Sequence, residues 1–99
     1  MKPEDFARSV GITTRTELEK IELLAFFFQK TEGTRDFTRN DILKWFDRLN
    51  LGVPNVARLA KRMRESRRFV RGSIPESFRL HAIVLDELQQ NHPGLRSKE

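Results

Sequence analysis

The sequence predicts a single domain that is mainly α-helical with a small β-hairpin, an α+β fold. Apolar residues recur at helical spacing over several separate stretches of the chain. Near residue 68 this periodicity gives way to two short strand-like segments separated by a loop that contains glycine and proline. A chain of 99 residues is long enough to bury one hydrophobic core, and it contains no cysteine for disulfides or thiolate metal sites.

Two helices are predicted before residue 34. Residues 3–9 form a short candidate helix. From residue 16 to about residue 31, apolar side chains recur on one face, at Leu18, Ile21, Leu24, Ala25 and Phe28. Thr16 and Glu19 fit a capping box at the start of this long helix, and Gly33 fits its end.

Two further helices, separated by a tight turn, are predicted next. Thr38 and Asp41 fit a second capping box, and Gly52 suits the turn because glycine readily adopts left-handed backbone conformations. Pro54 favours the first position of a helix, so the second of these helices is expected over residues 54–66. Its apolar positions form one stripe: Val56, Leu59, Ala60 and Met63. Its charged side chains are therefore expected to face solvent.

A hairpin and a last helix complete the predicted order. The segment 68–80 is expected to form strand, loop and strand, and helical periodicity resumes over residues 80–90. Asp36-Phe37, ahead of the helix that Thr38 caps, is a candidate for a minimal strand.

The whole chain is expected to form one domain. Its core is placed over about residues 15–90, with residues 1–14 as an N-terminal extension and residues 91–99 as a flexible tail. The longest apolar run, Leu23 to Phe28, is far shorter than the ~20 residues that cross a bilayer, and the first residues do not resemble a signal peptide. A soluble, cytoplasmic protein with no membrane partner is therefore expected.

Positive charge is concentrated in one segment. The net charge is +5, and residues 57–73, ARLAKRMRESRRFVRGS, contain one acidic residue, Glu65, among seven basic ones. The basic residues are Arg58, Lys61, Arg62, Arg64, Arg67, Arg68 and Arg71. A localised basic patch attracts polyanions, whereas an ordinary solvated basic face is the alternative interpretation.

The order of helix, turn, basic helix, hairpin and helix resembles the winged helix-turn-helix domains of bacterial and archaeal regulators. The resemblance is carried by FTRNDILKWFDRLNLGVPNVARLAKRMRESRRFVRG and SFRLHAIVLDEL, and it covers about residues 15–90. It implies a three-helix core, a wing and a C-terminal helix. His81 stands where such families have a capping threonine, so this junction departs from the pattern.

The resemblance implies a DNA-binding protein, a transcription regulator whose partner is double-stranded DNA and which would associate with the nucleoid. The helix over 54–66 would lie in the major groove, and the hairpin over 68–80 would be the wing. By analogy, the base-reading candidates are the exposed positions in the first half of this helix, Asn55, Arg58, Lys61 and Arg62, and arginine suits guanine as asparagine suits adenine. The wing candidates are Arg67, Arg68, Arg71 and Ser73. Arg39 and Asn40, at a helix N-terminus, are candidates for a phosphate contact.

An enzyme is not expected. The two histidines, His81 and His92, have no nucleophile or metal partner at a recognisable spacing. The five glycines are isolated, so no glycine-rich phosphate loop is present. No cofactor and no bound metal are expected.

The main alternative is a protein-interaction module without DNA binding, because winged helices also serve in assembly. The partner of the basic segment 57–73 would then be an acidic protein. The long helix also has a second apolar side, formed by Leu23, Phe26 and Phe27. Phe6 and the last helix could cover this side, or a second copy of the chain could, so a homodimer interface at these residues is left open.

Overall fold

The computed structural model describes residues 1–94, which form five α-helices and one two-stranded antiparallel sheet. The elements in chain order are α1 (Pro3–Ser9), a 3₁₀ turn (Ile12–Thr14), α2 (Glu17–Glu32), α3 (Arg39–Arg48), α4 (Val56–Glu65), β1 (Phe69–Arg71), β2 (Phe78–Leu80) and α5 (Ala82–Asn91). The predicted α+β fold with a small hairpin is confirmed. The predicted flexible tail lies outside the described residues from residue 95 onward.

Both predicted capping boxes are present. The Glu19 N–H donates to Thr16 Oγ1 at 3.2 Å, and the Thr16 N–H donates to Glu19 Oε1 at 3.2 Å. At the start of α3 the Asp41 N–H donates to Thr38 Oγ1 at 3.4 Å, and the Thr38 N–H donates to Asp41 Oδ2 at 2.8 Å. Because each box satisfies two amides that the helix leaves without partners, α2 and α3 begin where the sequence indicates.

The start of α4 differs from the prediction. The helix begins at Val56 rather than at Pro54, because Asn55 is the cap and its Oδ1 accepts a hydrogen bond from the Arg58 N–H at 3.1 Å. An asparagine side chain satisfies an amide of the first turn, which a proline cannot do. The turn before it contains Gly52 in the left-handed conformation, with φ at 85°.

The candidate minimal strand pairs with the hairpin. Phe37 forms an antiparallel bridge with Phe78 of β2, and the two backbone N–H···O bonds between them are both 2.8 Å long. On its other side, β2 pairs with β1 so that Phe69 lies opposite Leu80 and Arg71 lies opposite Phe78. The segment before α3 is therefore attached directly to the hairpin.

Aromatic rings connect the hairpin to the helices. Trp45 of α3 stacks on Phe28 of α2 with ring centroids 5.3 Å apart, and it also lies 5.3 Å from Phe37. Phe37 in turn contacts Phe69 and Phe78 at 6.2 and 6.1 Å. All five rings are buried, so the hairpin is held by the same core that holds α2 and α3.

The second apolar side of α2 is covered within the single chain. Leu23, Phe26 and Phe27 have only 5%, 0% and 1% of their surface exposed. Phe6 of α1 stacks on Phe27 with centroids 5.1 Å apart, and the His92 ring lies 6.2 Å from Phe26. The three residues proposed for a homodimer interface are therefore covered within one chain, which leaves at most 5% of the surface of any of them exposed to a second copy.

The same contacts correct the expected limits of the domain. Residues 1–14 were assigned to an N-terminal extension outside the core of about residues 15–90, but they contribute to the buried cluster through Phe6, Ala7, Val10 and Ile12. Residues 3–12 belong to the core because α2 is apolar on two sides and needs cover on both. Over residues 1–94, no helix combines the length and the apolar composition that crossing a bilayer requires.

Candidate nucleic-acid interface

The α4 helix separates its apolar and basic residues onto opposite faces. Leu59, Ala60 and Met63 are completely buried, and Val56 is half-buried beside them. Arg58, Lys61 and Arg62, three of the four predicted base-reading residues, are exposed. Burial of one stripe fixes the rotation of the helix about its axis and thereby directs these three side chains outward.

Two of the predicted base-reading residues already have partners in the free protein. The Asn55 side-chain oxygen caps α4, as described above. Arg58 Nη2 donates to Glu17 Oε1 of α2 at 2.9 Å. Within residues 1–94, Lys61 and Arg62 form no ion pair. All four residues are exposed, but the side chains of Asn55 and Arg58 are engaged within the chain, whereas those of Lys61 and Arg62 form no ion pair among residues 1–94.

A cleft of about 800 Å³ lies between the C-terminal half of α4 and the hairpin. Buried Met63, Phe69 and Phe78 form its floor, and the exposed arginines Arg64 and Arg71 stand at its sides. The sequence analysis selected Arg71 as a DNA-contacting residue of the hairpin. It did not select Arg64, because Arg64 lies on the flank of α4 and not on the face directly opposite the buried stripe. Its position four residues before Arg68, at the end of α4 nearest the hairpin, is the signal that identifies it.

The loop of the hairpin is braced by Asp36, a residue that sequence reasoning did not select. Arg79 Nε donates to Asp36 Oδ1 at 2.7 Å, and the Ser73 N–H donates to Asp36 Oδ2 at 3.1 Å. The Ser73 hydroxyl also donates to this carboxylate. The Arg79 guanidinium first, and then Ser73, hold the pKa of the Asp36 carboxyl far below its usual range. Ser73, predicted to contact DNA, thus has its hydroxyl engaged within the chain.

A buried serine fixes the backbone of the same loop. The Ser77 hydroxyl, in a residue only 2% exposed, donates to the Ile74 carbonyl oxygen at 2.6 Å and accepts from the Ile74 N–H at 3.3 Å. The Gly72 N–H donates to the Ser77 carbonyl oxygen at 2.9 Å. The loop is therefore held at both of its ends by hydrogen bonds that a flexible loop would lack.

We expect Gly72→Ala to loosen this loop and to destabilise the domain by about 1–3 kcal/mol, as other overpacking changes do. A Cβ at Gly72 would overlap Ser77 Oγ and lie 2.9 Å from Ser77 Cβ, so the buried serine would have to move. Thermal unfolding measures the effect. Gly94→Ala is the matched control because, among residues 1–94, nothing lies within 4 Å of its added Cβ. A Gly72→Ala chain that unfolds like the control would contradict the bracing described here.

Arg68 is engaged at the base of the hairpin. Its Nη2 lies 2.8 Å from Glu22 Oε1 of α2 and its Nη1 lies 3.5 Å from Glu87 Oε2 of α5. Glu22 is only 7% exposed, and the hydrogen bond to it raises the pKa of Arg68. Arg68 was predicted to contact DNA from the wing, but its guanidinium instead compensates a buried carboxylate, which would be costly without a cation.

The N-terminus of α3 lies beside the hairpin. Arg39 is half-buried and Asn40 is exposed in its first turn. These residues follow closely after Phe37, which bridges to Phe78, and after Asp36, which contacts Ser73. The predicted phosphate-contacting residues and the hairpin loop are thus brought into one region, together with the exposed Arg35.

The two histidines have structural contacts. His81 caps α5, with its Nδ1 accepting a hydrogen bond from the Ile83 N–H at 3.1 Å, so it takes the place of the threonine that the resemblance led us to expect. His92 packs edge-on against Phe6 with ring centroids 5.7 Å apart. Among the residues that the structure describes, no group of three or more histidine, aspartate or glutamate side chains is arranged to hold a metal ion.

No family model matches the chain, and comparison with the curated proteins and with the solved structures found no match. The function proposed below is therefore based on the contacts and charges of the chain itself.

Proposed function

We propose that the protein is a DNA-binding winged-helix protein, with α4 in the major groove and the β1–β2 hairpin as its wing. The observation that carries the proposal is a set of five exposed basic residues on α4, on the segment after it and at the end of β1, here called the basic face: Lys61, Arg62, Arg64, Arg67 and Arg71. In the part of the chain that the structure describes, none of the five forms an ion pair.

The basic face favours a polyanionic partner. Like charges closer than the Debye length of about 8–10 Å repel one another, and an acidic surface relieves this repulsion. DNA presents a regular series of phosphates, and binding to them also releases condensed counterions. Glu65, exposed at the end of α4, is the one acidic side chain on the helix, so the face keeps a strong net positive charge.

The order of the elements also supports the proposal. The α2, α3 and α4 helices precede a two-stranded hairpin to which Phe37 is joined by a single antiparallel bridge, and this order is compatible with a winged-helix shape. An α-helix fits into the major groove, which is about 12 Å wide. Lys61 and Arg62 on α4 are free to contact base edges.

The cleft beside α4 suits one sugar–phosphate strand. Its apolar floor would lie against sugars, and Arg64 and Arg71 would bind phosphates on either side. Asn40 and Arg39, at the start of α3, would add contacts to the backbone of the DNA. These contacts would fix the position of the protein on the duplex, whereas α4 would read the sequence.

A second candidate function is an assembly module that binds an acidic protein. The observation in its favour is Val53, which is 93% exposed in the turn between α3 and α4. This valine lies at a shallow groove lined by Leu43, Phe46 and Pro54. An exposed apolar residue beside a groove suits a protein partner more than a phosphate backbone.

A mobility-shift titration with a random duplex, at low and at moderate salt, tests the proposal. DNA binding predicts a complex at micromolar protein that weakens steeply as salt is raised. No complex near 100 μM at low salt, which is weaker than typical non-specific binding, would exclude the DNA proposal. The basic face would then be assigned to an acidic protein.

Substitutions on the hairpin and on α4 are expected to have different effects. Arg71→Ala should weaken binding to all duplexes about equally and make the salt dependence shallower by about one unit, because one phosphate contact is lost. Arg62→Ala should instead cost about 1–3 kcal/mol at a preferred sequence and much less elsewhere. The preferred sequence is first selected from a random pool.

Arg48→Ala is the matched control for both changes. It removes the same charge from the C-terminal end of α3, away from the hairpin. Arg48 is already paired there, with its Nε 3.2 Å from Glu4 Oε2. If Arg48→Ala weakens binding as much as Arg71→Ala does, then net charge rather than a contact at the hairpin governs the affinity, and the assigned wing is wrong.

A further inference from the structure

One ion pair connects α2 to the proposed recognition helix. Arg58 Nη2 lies 2.9 Å from Glu17 Oε1, and the two side chains keep 57% and 35% of their surface exposed. Glu17 occupies the first position of α2, where an acidic side chain is favoured by the helix dipole. The carboxylate is therefore held by one helix while its partner belongs to another.

This pair leaves Arg58 able to bind a base. A guanidinium has five N–H donors, and the bond to Glu17 uses one of them. The other donors remain for the bidentate contact with O6 and N7 of guanine. The Arg58 backbone is fixed as well, because its N–H is bonded to the Asn55 cap at 3.1 Å.

We infer that Glu17 is a specificity-determining residue, which orients Arg58 for guanine and does not itself touch DNA. The inference rests on the proposed DNA-binding function. A free arginine side chain loses rotamer freedom when it binds a base, whereas an arginine already held by Glu17 loses less. The same carboxylate repels phosphates, so it weakens binding to DNA that offers Arg58 no guanine.

Other exposed ion pairs of the domain differ from this one. Arg15 and Glu19 lie one turn apart at the start of α2, with Arg15 Nη1 3.7 Å from Glu19 Oε2, and neither residue belongs to α4. Arg48 pairs with Glu4 of α1 and lies away from the basic face. Among the ion pairs within residues 1–94, the Glu17–Arg58 pair is the one that holds an outward-facing side chain of α4.

The test compares Glu17→Ala with Glu32→Ala in the full 99-residue chain. Both changes remove one acidic residue from α2, but Glu32 is at the opposite end of the helix and forms no ion pair within residues 1–94. The measured quantity is the ratio of affinities for a selected duplex and a random duplex. We expect Glu17→Ala to lower this ratio roughly threefold to tenfold, the effect of one side chain that must be immobilised.

Two further variants separate orientation from charge. Glu17→Gln keeps an acceptor for Arg58 and is expected to recover part of the ratio. In an Arg58→Ala background, Glu17→Ala should change the ratio no further, because the oriented side chain is absent. A repeated selection with Glu17→Ala should relax the preference for guanine at one position of the site.

The outcomes are distinguishable. Failure of the wild-type chain to bind any duplex would overturn the proposed function itself. Binding without any enriched sequence, equal ratios for Glu17→Ala and Glu32→Ala, or an undiminished effect in the Arg58→Ala background would overturn the role of Glu17 and leave DNA binding in place.

Discussion

The Phe27→Asp chain is expected to be unfolded under conditions in which the wild type is folded. Phe27 is 1% exposed, and its ring lies between Phe6 and Phe28 at centroid distances of 5.1 and 5.2 Å. An aspartate here would bury a carboxylate without a cation, which costs several kcal/mol in addition to the lost aromatic contacts. A domain of this size is stable by only about 5–15 kcal/mol. Circular dichroism and light scattering measure the result.

Ile83→Asp is the control for this substitution. Ile83 is 69% exposed on α5, so the same charged residue should be tolerated there. A Phe27→Asp chain that is folded and monomeric would mean that Phe27 is covered by a second copy in the wild type. That result would contradict the burial of α2 by α1 and by His92.

The Leu59→Ala substitution is expected to lower the free energy of unfolding by about 2–5 kcal/mol. Leu59 is completely buried in the stripe of α4 that packs on the core. Truncation leaves a cavity that the neighbouring side chains fill only in part. Thermal or urea unfolding gives the value.

Lys61→Ala on the opposite face of α4 serves as the comparison, and it should change stability by no more than about 0.5 kcal/mol. If Leu59→Ala were silent while Lys61→Ala was costly, the rotation of α4 would be different from the one described. The basic face would then have to be redefined.

Periodicity and local capping account for the part of the fold that could be predicted. Thr16 with Glu19 and Thr38 with Asp41 act within four residues of one another, so the sequence alone determines where α2 and α3 begin. The start of α4 was misplaced because Pro54 and Asn55 are two competing local signals. The asparagine prevails, because its side chain adds a hydrogen bond.

Contacts between distant parts of the chain account for what could not be predicted. Glu22 and Arg68 are far apart in sequence, and no spacing rule connects them. The same is true of Asp36 with Ser73 and Arg79, which brace the loop of the hairpin. The sequence therefore predicted Arg68 and Ser73 to be available for DNA, although in the folded chain they bind Glu22 and Asp36.

The second side of α2 illustrates the same limit from the apolar residues. The pattern of Leu23, Phe26 and Phe27 indicates that these side chains need cover, but it carries no information about which segment provides it. Phe6 provides part of that cover from a segment that looked peripheral because it is short.

The contact between Phe6 and His92 has a consequence for how the chain folds. The two rings are 5.7 Å apart in space but come from nearly opposite ends of the described sequence. Such a contact closes a very long loop, whose entropic cost is repaid only when most of the chain is already in place. We therefore expect the part of this side of α2 that His92 covers to be completed late in folding, so that Phe26 is open to intermolecular association until then.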